Sequence, residues 1–283
     1  MSTQATGAIV DTAWLAARLD APDTRIVDGS WHLPNAGRDA KAEYAVSHIP
    51  GAVYFDIDDI ADNDSGLPHT APSPEKFSSR VRKLGLGDGS RIVVYDSGNW
   101  MAAARVWWLF RLFGHTDISV LAGGVAKWRG EGRAVADAPV VPKERHFTAR
   151  MNTLMIRDIG QMLANLESPR EQVLDVRAAG RYQGVDPEPR AGMRGGHIPG
   201  SLNLPFSGLF NSETKQMLAP DALSAAFMDA GVDLAKPVVT TCGSGVTACV
   251  ATLALHLIGH RDLAVFDGSW SEWGSRDDTP IEC

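Results

Sequence analysis

The stretch VVTTCGSGVTACVATLALHLIGH, residues 238–260, decides the fold. It opens on four β-branched residues, passes through a short segment with two glycines, and continues as an apolar run from Ala248 to Leu257, with Gly259 as a stop. β-Branched side chains suit a buried strand and the apolar run suits a buried helix, so the segment reads as strand, tight loop, helix. That order is the repeating unit of a parallel sheet covered by helices. Cys242 stands where the strand ends and the loop begins.

The same pattern occurs earlier in the chain. RIVVYD ending at Asp96 answers PVVTTC ending at Cys242, a spacing of 146 residues. HIPG at residues 48–51 returns at 197–200, FGH ending at His115 returns as IGH ending at His260, and GGVAKW ending at Trp128 matches GSWSEW ending at Trp273. Four ordered matches at nearly half the chain length indicate a duplicated domain and not a solenoid of short units. The expected division is an N-terminal domain over residues 8–138, a linker of prolines and mixed charges over 139–153, and a C-terminal domain over 154–283. β-Rich runs at 25–28, 91–96 and 118–121, then at 172–176, 237–241 and 263–266, alternate with amphipathic stretches such as ALSAAFMDAG at 222–231. The fold class is therefore α/β: two similar domains, each a mostly parallel sheet flanked by helices. Ligands of such sheets sit beyond the carboxyl ends of the strands, which is where Cys242 and its counterpart Asp96 lie.

The totals restrict what the protein binds. The 283 residues carry 44% hydrophobic and 22% charged residues and a formal net charge of -7. No apolar run reaches the roughly 20 residues that span a bilayer, and the acidic balance disfavours general nucleic-acid or anionic-membrane binding. Residues 1–20 have neither a secretory nor a transit-peptide pattern, so a cytoplasmic location is the expectation. The three cysteines, Cys242, Cys249 and Cys283, have no metal-ligand spacing and no disulfide pattern, so neither a metal nor an organic cofactor is expected.

A cysteine at a helix N-terminus, wrapped by a glycine-containing loop, has backbone N–H groups and a partial positive charge to stabilise its thiolate. Two anion chemistries use a cysteine in a loop of this size. A cysteine phosphatase needs an arginine six residues after the nucleophile to grip phosphate oxygens, and that position is Ala248. Sulfur transfer remains, in which the thiolate takes a sulfur atom, holds it as a persulfide and passes it on. The aligned Asp96 has no sulfur to offer, so the N-terminal domain is expected to be catalytically silent.

With these residues in view, the chain resembles the tandem-domain rhodanese superfamily, and within it the 3-mercaptopyruvate sulfurtransferase branch. The resemblance runs from DGSWHLP at Asp28 to DGSWSEW at Asp267 and is most specific in CGSGVTAC, residues 242–249. Thiosulfate-using relatives carry basic residues where this loop has Gly243 and Ser244. A compact dianion benefits from cations beside the sulfur, whereas mercaptopyruvate carries one charge several bonds away.

The resemblance implies the site residues. Cys242 is the nucleophile, with the loop residues Gly243, Gly245, Val246 and Thr247 around the bound sulfur. Arg181 and Arg190, in AAGRYQGVDPEPR, hold the donor's carboxylate and carbonyl, while Arg194 has no assigned counterpart. A Ser-His-Asp relay falls on Ser244, His69 and Asp58, which brings the N-terminal half of the chain to the cysteine. The histidines of the two HIPG segments, His48 and His197, occur in both halves and read as structural. The implied partners are a small-molecule donor, 3-mercaptopyruvate, and a sulfur acceptor such as cyanide, a thiol or thioredoxin. Two alternatives stay open: a thiosulfate:cyanide sulfurtransferase, and a non-catalytic rhodanese-like module that binds a partner or carries sulfur.

Overall fold

The computed structural model describes residues 7–138 and 140–283; Pro139, the first residue of the expected linker, lies outside the described residues. The chain divides into two compact units. Unit 1 takes residues up to 61 and 72–152, and unit 2 takes 153–283 together with 62–71 from the N-terminal half.

Unit 1 runs β1 (Ile9–Val10), α1 (Thr12–Ala16), β2 (Thr24–Asp28), α2 (Ala40–Val46), β3 (Ala52–Tyr54), α3 (Pro74–Lys83), β4 (Arg91–Tyr95), α4 (Met101–Leu112), β5 (Ile118–Leu121) and α5 (Gly124–Gly130). Unit 2 repeats it: β6 (Ile156–Arg157), α6 (Ile159–Glu167), β7 (Gln172–Asp175), α7 (Ala179–Tyr182), β8 (Leu202–Asn203), α8 (Pro220–Asp229), β9 (Val238–Thr241), α9 (Ala248–Leu257), β10 (Leu263–Phe266) and α10 (Ser269–Trp273). The sheets have the orders β1-β5-β4-β2-β3 and β6-β10-β9-β7-β8, which are the same order five strands apart. Every pairing within them is parallel. The α/β duplication read from the four sequence matches is the observed architecture.

The repeated motifs have physical causes. Asp11 and Asp158 cap α1 and α6, their carboxylates accepting from Trp14 N at 2.6 Å and Gln161 N at 2.8 Å. The isoleucine of each HIPG, Ile49 and Ile198, is fully buried in its unit's core, beside Val93 and Trp128 in one and Val239 and Trp273 in the other. The paired histidines do the same work twice. His48 lies against Tyr44 with centroids 4.2 Å apart and bonds its carbonyl, and His197 lies 3.7 Å from Tyr182 and bonds that carbonyl. Each histidine amide also pairs with a later segment, at Ala136 and at Glu282. These are structural roles.

Helix α9 is buried along Ala248 to Leu255, which is why its sequence is apolar on every face. Its first turn follows directly on the loop from β9, at the carboxyl edge of the sheet in unit 2. Among the described residues no helix is long and apolar enough to cross a membrane.

Candidate active site

Cys242 is the first residue after β9 and is 1% exposed. The loop turns at Gly245, whose φ of +77° lies in the left-handed region that glycine enters without a steric penalty. Its backbone is pinned by α10 and the residue that starts it. Cys242 N donates to Ser269 Oγ at 3.2 Å, Trp270 N donates to the Cys242 carbonyl at 3.0 Å, and Ser271 donates to the Gly243 carbonyl through both N (2.8 Å) and Oγ (2.6 Å). The amides of Gly243, Ser244, Val246 and Thr247 donate to no protein acceptor among the described residues. A buried thiol thus stands beside a set of amides that the protein does not itself use.

Unit 1 shows what this loop geometry binds. The carboxylate of Asp96, in the position of Cys242, accepts from Gly98 N (2.8 Å), Asn99 N (3.1 Å) and Trp100 N (3.2 Å) on Oδ1 and from Ala103 N (3.2 Å) on Oδ2. The frame is the same, since Val125 N donates to the Asp96 carbonyl as Trp270 N does to that of Cys242. Burial pushes the Asp96 carboxyl above its ordinary range, and the four amides oppose that rise. A loop of this construction closes on a negative group at the end of its strand.

The two predicted arginines flank the start of the Cys242 loop. Arg181 lies on the four-residue α7, and its Nη2 would be 3.2 Å from a Cβ built on Gly243. Arg190 Nη1 donates to Ser271 Oγ at 3.5 Å, the hydroxyl that itself donates to the Gly243 carbonyl. Arg181 is ion-paired with Glu188 through Nη2 (2.5 Å) and Nε (3.2 Å). Arg190 has no ion-pair partner among the described residues.

The relay residues are distributed over both units. Ser244 is 8% exposed within the loop. His69 belongs to the 62–71 segment of unit 2 and has a left-handed backbone, φ 63°. That segment is tied to the carboxyl end of β10, the neighbour of β9, by a 2.6 Å hydrogen bond from Ala71 N to the Asp267 carboxylate. Asp58 belongs to unit 1, where Trp31 Nε1 donates to its Oδ2 at 3.0 Å. Arg194 is a clamp: its guanidinium donates to the carbonyls of Trp273 and Gly274 and to Thr279 Oγ1.

Sequence reasoning missed three supports. Ser269 and Ser271 hold the cysteine loop, and comparing GGVAKW with GSWSEW shows glycine at the Ser269 position of unit 1, a signal that was present. The third is a buried network in which Arg177 bonds Asp175 at 2.7 Å, Glu188 at 2.7 Å and the Gly196 carbonyl at 2.8 Å while stacking over Trp270 at 4.1 Å. Burial raises the Asp175 carboxyl and the adjacent Arg177 charge opposes the shift. Nothing in the spacing of these residues announces that they meet.

Two copies of one α/β unit, of which one carries a buried cysteine in an amide-lined loop, define a tandem protein with one thiol site. The chain belongs to the family of the rhodanese-like domain, whose model matches residues 11–131 and 158–276. It is 41% identical over 281 residues to the human 3-mercaptopyruvate sulfurtransferase, covering 97% of this chain and 94% of that protein. It is 43% identical over 276 residues to the rat thiosulfate sulfurtransferase, covering 95% and 92%. The crystal structure of SseA from Escherichia coli, described as that of a 3-mercaptopyruvate sulfotransferase with the rhodanese fold, is similar with a TM-score of 0.86 and 36% identity over 94% of this chain and 99% of that one. Overall identity does not separate the two donors, so the choice between them falls to the site.

Proposed function

We propose that the protein is a sulfurtransferase whose donor is 3-mercaptopyruvate. The observation that carries the donor assignment is the placement of cations. Within the loop, residues 243–249 are uncharged, and the arginines stand at its start, one against Gly243 and one against Ser271. A donor whose charge is separated from its sulfur fits this arrangement, with the sulfur at Cys242 and the carboxylate and carbonyl at Arg181 and Arg190.

In the first half-reaction the Cys242 thiolate attacks the donor sulfur. The carbon–sulfur bond breaks with its electron pair going to carbon, which leaves pyruvate as its enolate. His69, with Ser244 of the loop, removes the donor thiol's proton and returns one to the enolate carbon. The persulfide on Cys242 is held by the loop amides, as Asp96 is held in unit 1. In the second half-reaction an acceptor, cyanide or a thiol such as that of thioredoxin, attacks the outer sulfur and releases the Cys242 thiolate. No resident metal or organic cofactor takes part in this sequence.

The test is kcat/KM for the two donors with cyanide as acceptor. Mercaptopyruvate is expected to be the better donor, and a clear preference for thiosulfate would sink the assignment. Arg190→Ala should raise KM for mercaptopyruvate by about tenfold to a hundredfold, the effect of losing one charge-assisted contact, with cyanide consumption by the preloaded persulfide changed less than about twofold. Equal losses in both half-reactions would mean that Arg190 acts on the fold.

A further inference from the structure

The geometry points to Glu188 as the residue that sets donor selectivity, by cancelling the charge of Arg181 at the mouth of the cysteine loop. This rests on the donor reading above. Glu188 has 2% side-chain exposure, yet it is shared between two guanidinium groups, bonding Arg177 Nη1 at 2.7 Å and Arg181 Nη2 at 2.5 Å. Arg177 is 1% exposed and also pairs with Asp175, so the connected group contains two carboxylates and two guanidiniums and has no net formal charge. Arg181, the member with 24% side-chain exposure, touches the space above Gly243. It therefore reaches the site as an oriented pair of N–H donors whose field is neutralised from behind.

Arg190 is then the cation that keeps its field, since it has no ion-pair partner among the described residues. One uncancelled positive charge matches a donor with one carboxylate. It leaves a compact dianion such as thiosulfate with a second charge to bury without compensation. Unit 1 shows that the fold does not require this network. Asp28, the counterpart of Asp175, accepts from Ser30 N as Asp175 accepts from Arg177 N, so the arginine that recruits Glu188 in unit 2 is a serine in unit 1. Glu188 is a positioning and charge-setting residue and touches no reacting atom.

The experiment is Glu188→Gln, with kcat/KM measured for mercaptopyruvate and for thiosulfate, each with cyanide, at low and high salt. Gln keeps the size and part of the hydrogen bonding while uncovering one positive charge. The thiosulfate-to-mercaptopyruvate ratio should rise by about tenfold at low salt, and the rise should shrink as salt screens it. Glu188→Asp, which keeps the charge, should hold the ratio near that of the wild type. A general loss of structure lowers both donors together, so an unchanged ratio in Glu188→Gln overturns the role of Glu188. A second reading needs no variant. Wild-type kcat/KM for mercaptopyruvate should fall with ionic strength as for one cation meeting one anion, and the slope of two cations would contradict the cancellation. Wild-type preference for thiosulfate would overturn the donor reading and this inference together. A wild type that prefers mercaptopyruvate with an unmoved Glu188→Gln ratio overturns the inference alone.

Discussion

In unit 1 the loop after β4 closes on its own strand-end residue, with four backbone amides on the Asp96 carboxylate. In unit 2 the loop after β9 begins with a thiol, and four of its amides have no protein acceptor among the described residues. The strand order, the following helix and the hydrogen bond from the next turn are the same in both. The strand-end side chain thus separates a loop whose amides are taken up by the protein from one whose amides are left over. In the proposed function the same cradle is filled by the protein in unit 1 and by the transferred sulfur in unit 2.

The largest expected effect comes from making the Cys242 loop resemble the Asp96 loop. Cys242→Asp should lower sulfur transfer at least about a thousandfold, because the carboxylate has no means of accepting sulfur, while the folded protein remains as stable as the wild type or more so. Retained activity, or a strong loss of stability, would break the equivalence of the two cradles. A smaller effect is expected in the opposite direction: Asp96→Ala leaves four buried amides without their acceptor and should cost about 2 kcal/mol in denaturant unfolding, with little change in kcat of the folded enzyme.

The Asp96 carboxyl also gives a pH signature. Burial raises it in the folded state, so the folded protein binds that proton more tightly than the unfolded chain. The stability carried by the proton is fully present below the ordinary carboxylate range and is lost as pH rises through the raised folded value. Asp96→Asn should lack that part of the pH dependence, and an identical profile in wild type and variant would contradict the assignment.

The smallest effect concerns Ser269, which holds Cys242 N from a left-handed backbone of φ 50° where unit 1 has Gly124 at 56°. Ser269→Gly relieves backbone strain but loses two hydrogen bonds, the one from Cys242 N and the one to the Phe266 carbonyl, so stability should fall by about 1 kcal/mol while the first half-reaction slows severalfold. A change confined to stability would mean that the hydroxyl serves the fold and not the cysteine.

Much of this comparison was legible in the sequence because it is carried by the central strands. β2, β4, β5, β7, β9 and β10 have four or five residues each, enough for β-branched runs to stand out. β1, β3, β6 and β8 have two or three, too few for any periodicity to register. The candidate nucleophile and its loop were readable because Cys242, its glycines and Ala248 lie together in the chain. The passage of residues 62–71 to unit 2 was not readable, since it depends on the contact of Ala71 with Asp267, 196 positions later. The Asp175, Arg177, Glu188 and Arg181 network was hidden for a related reason: only the fold shows that these charges are buried and which of them pair.

The central claim is that sulfur rests on Cys242, and the most direct measurement is the mass of the intact protein and of the Cys242 peptide after exposure to 3-mercaptopyruvate without acceptor. A gain of one sulfur atom on that peptide, removed by cyanide or a thiol and absent from Cys242→Ser, is the predicted result. No gain, or a gain carried by Cys249 or Cys283, would contradict it.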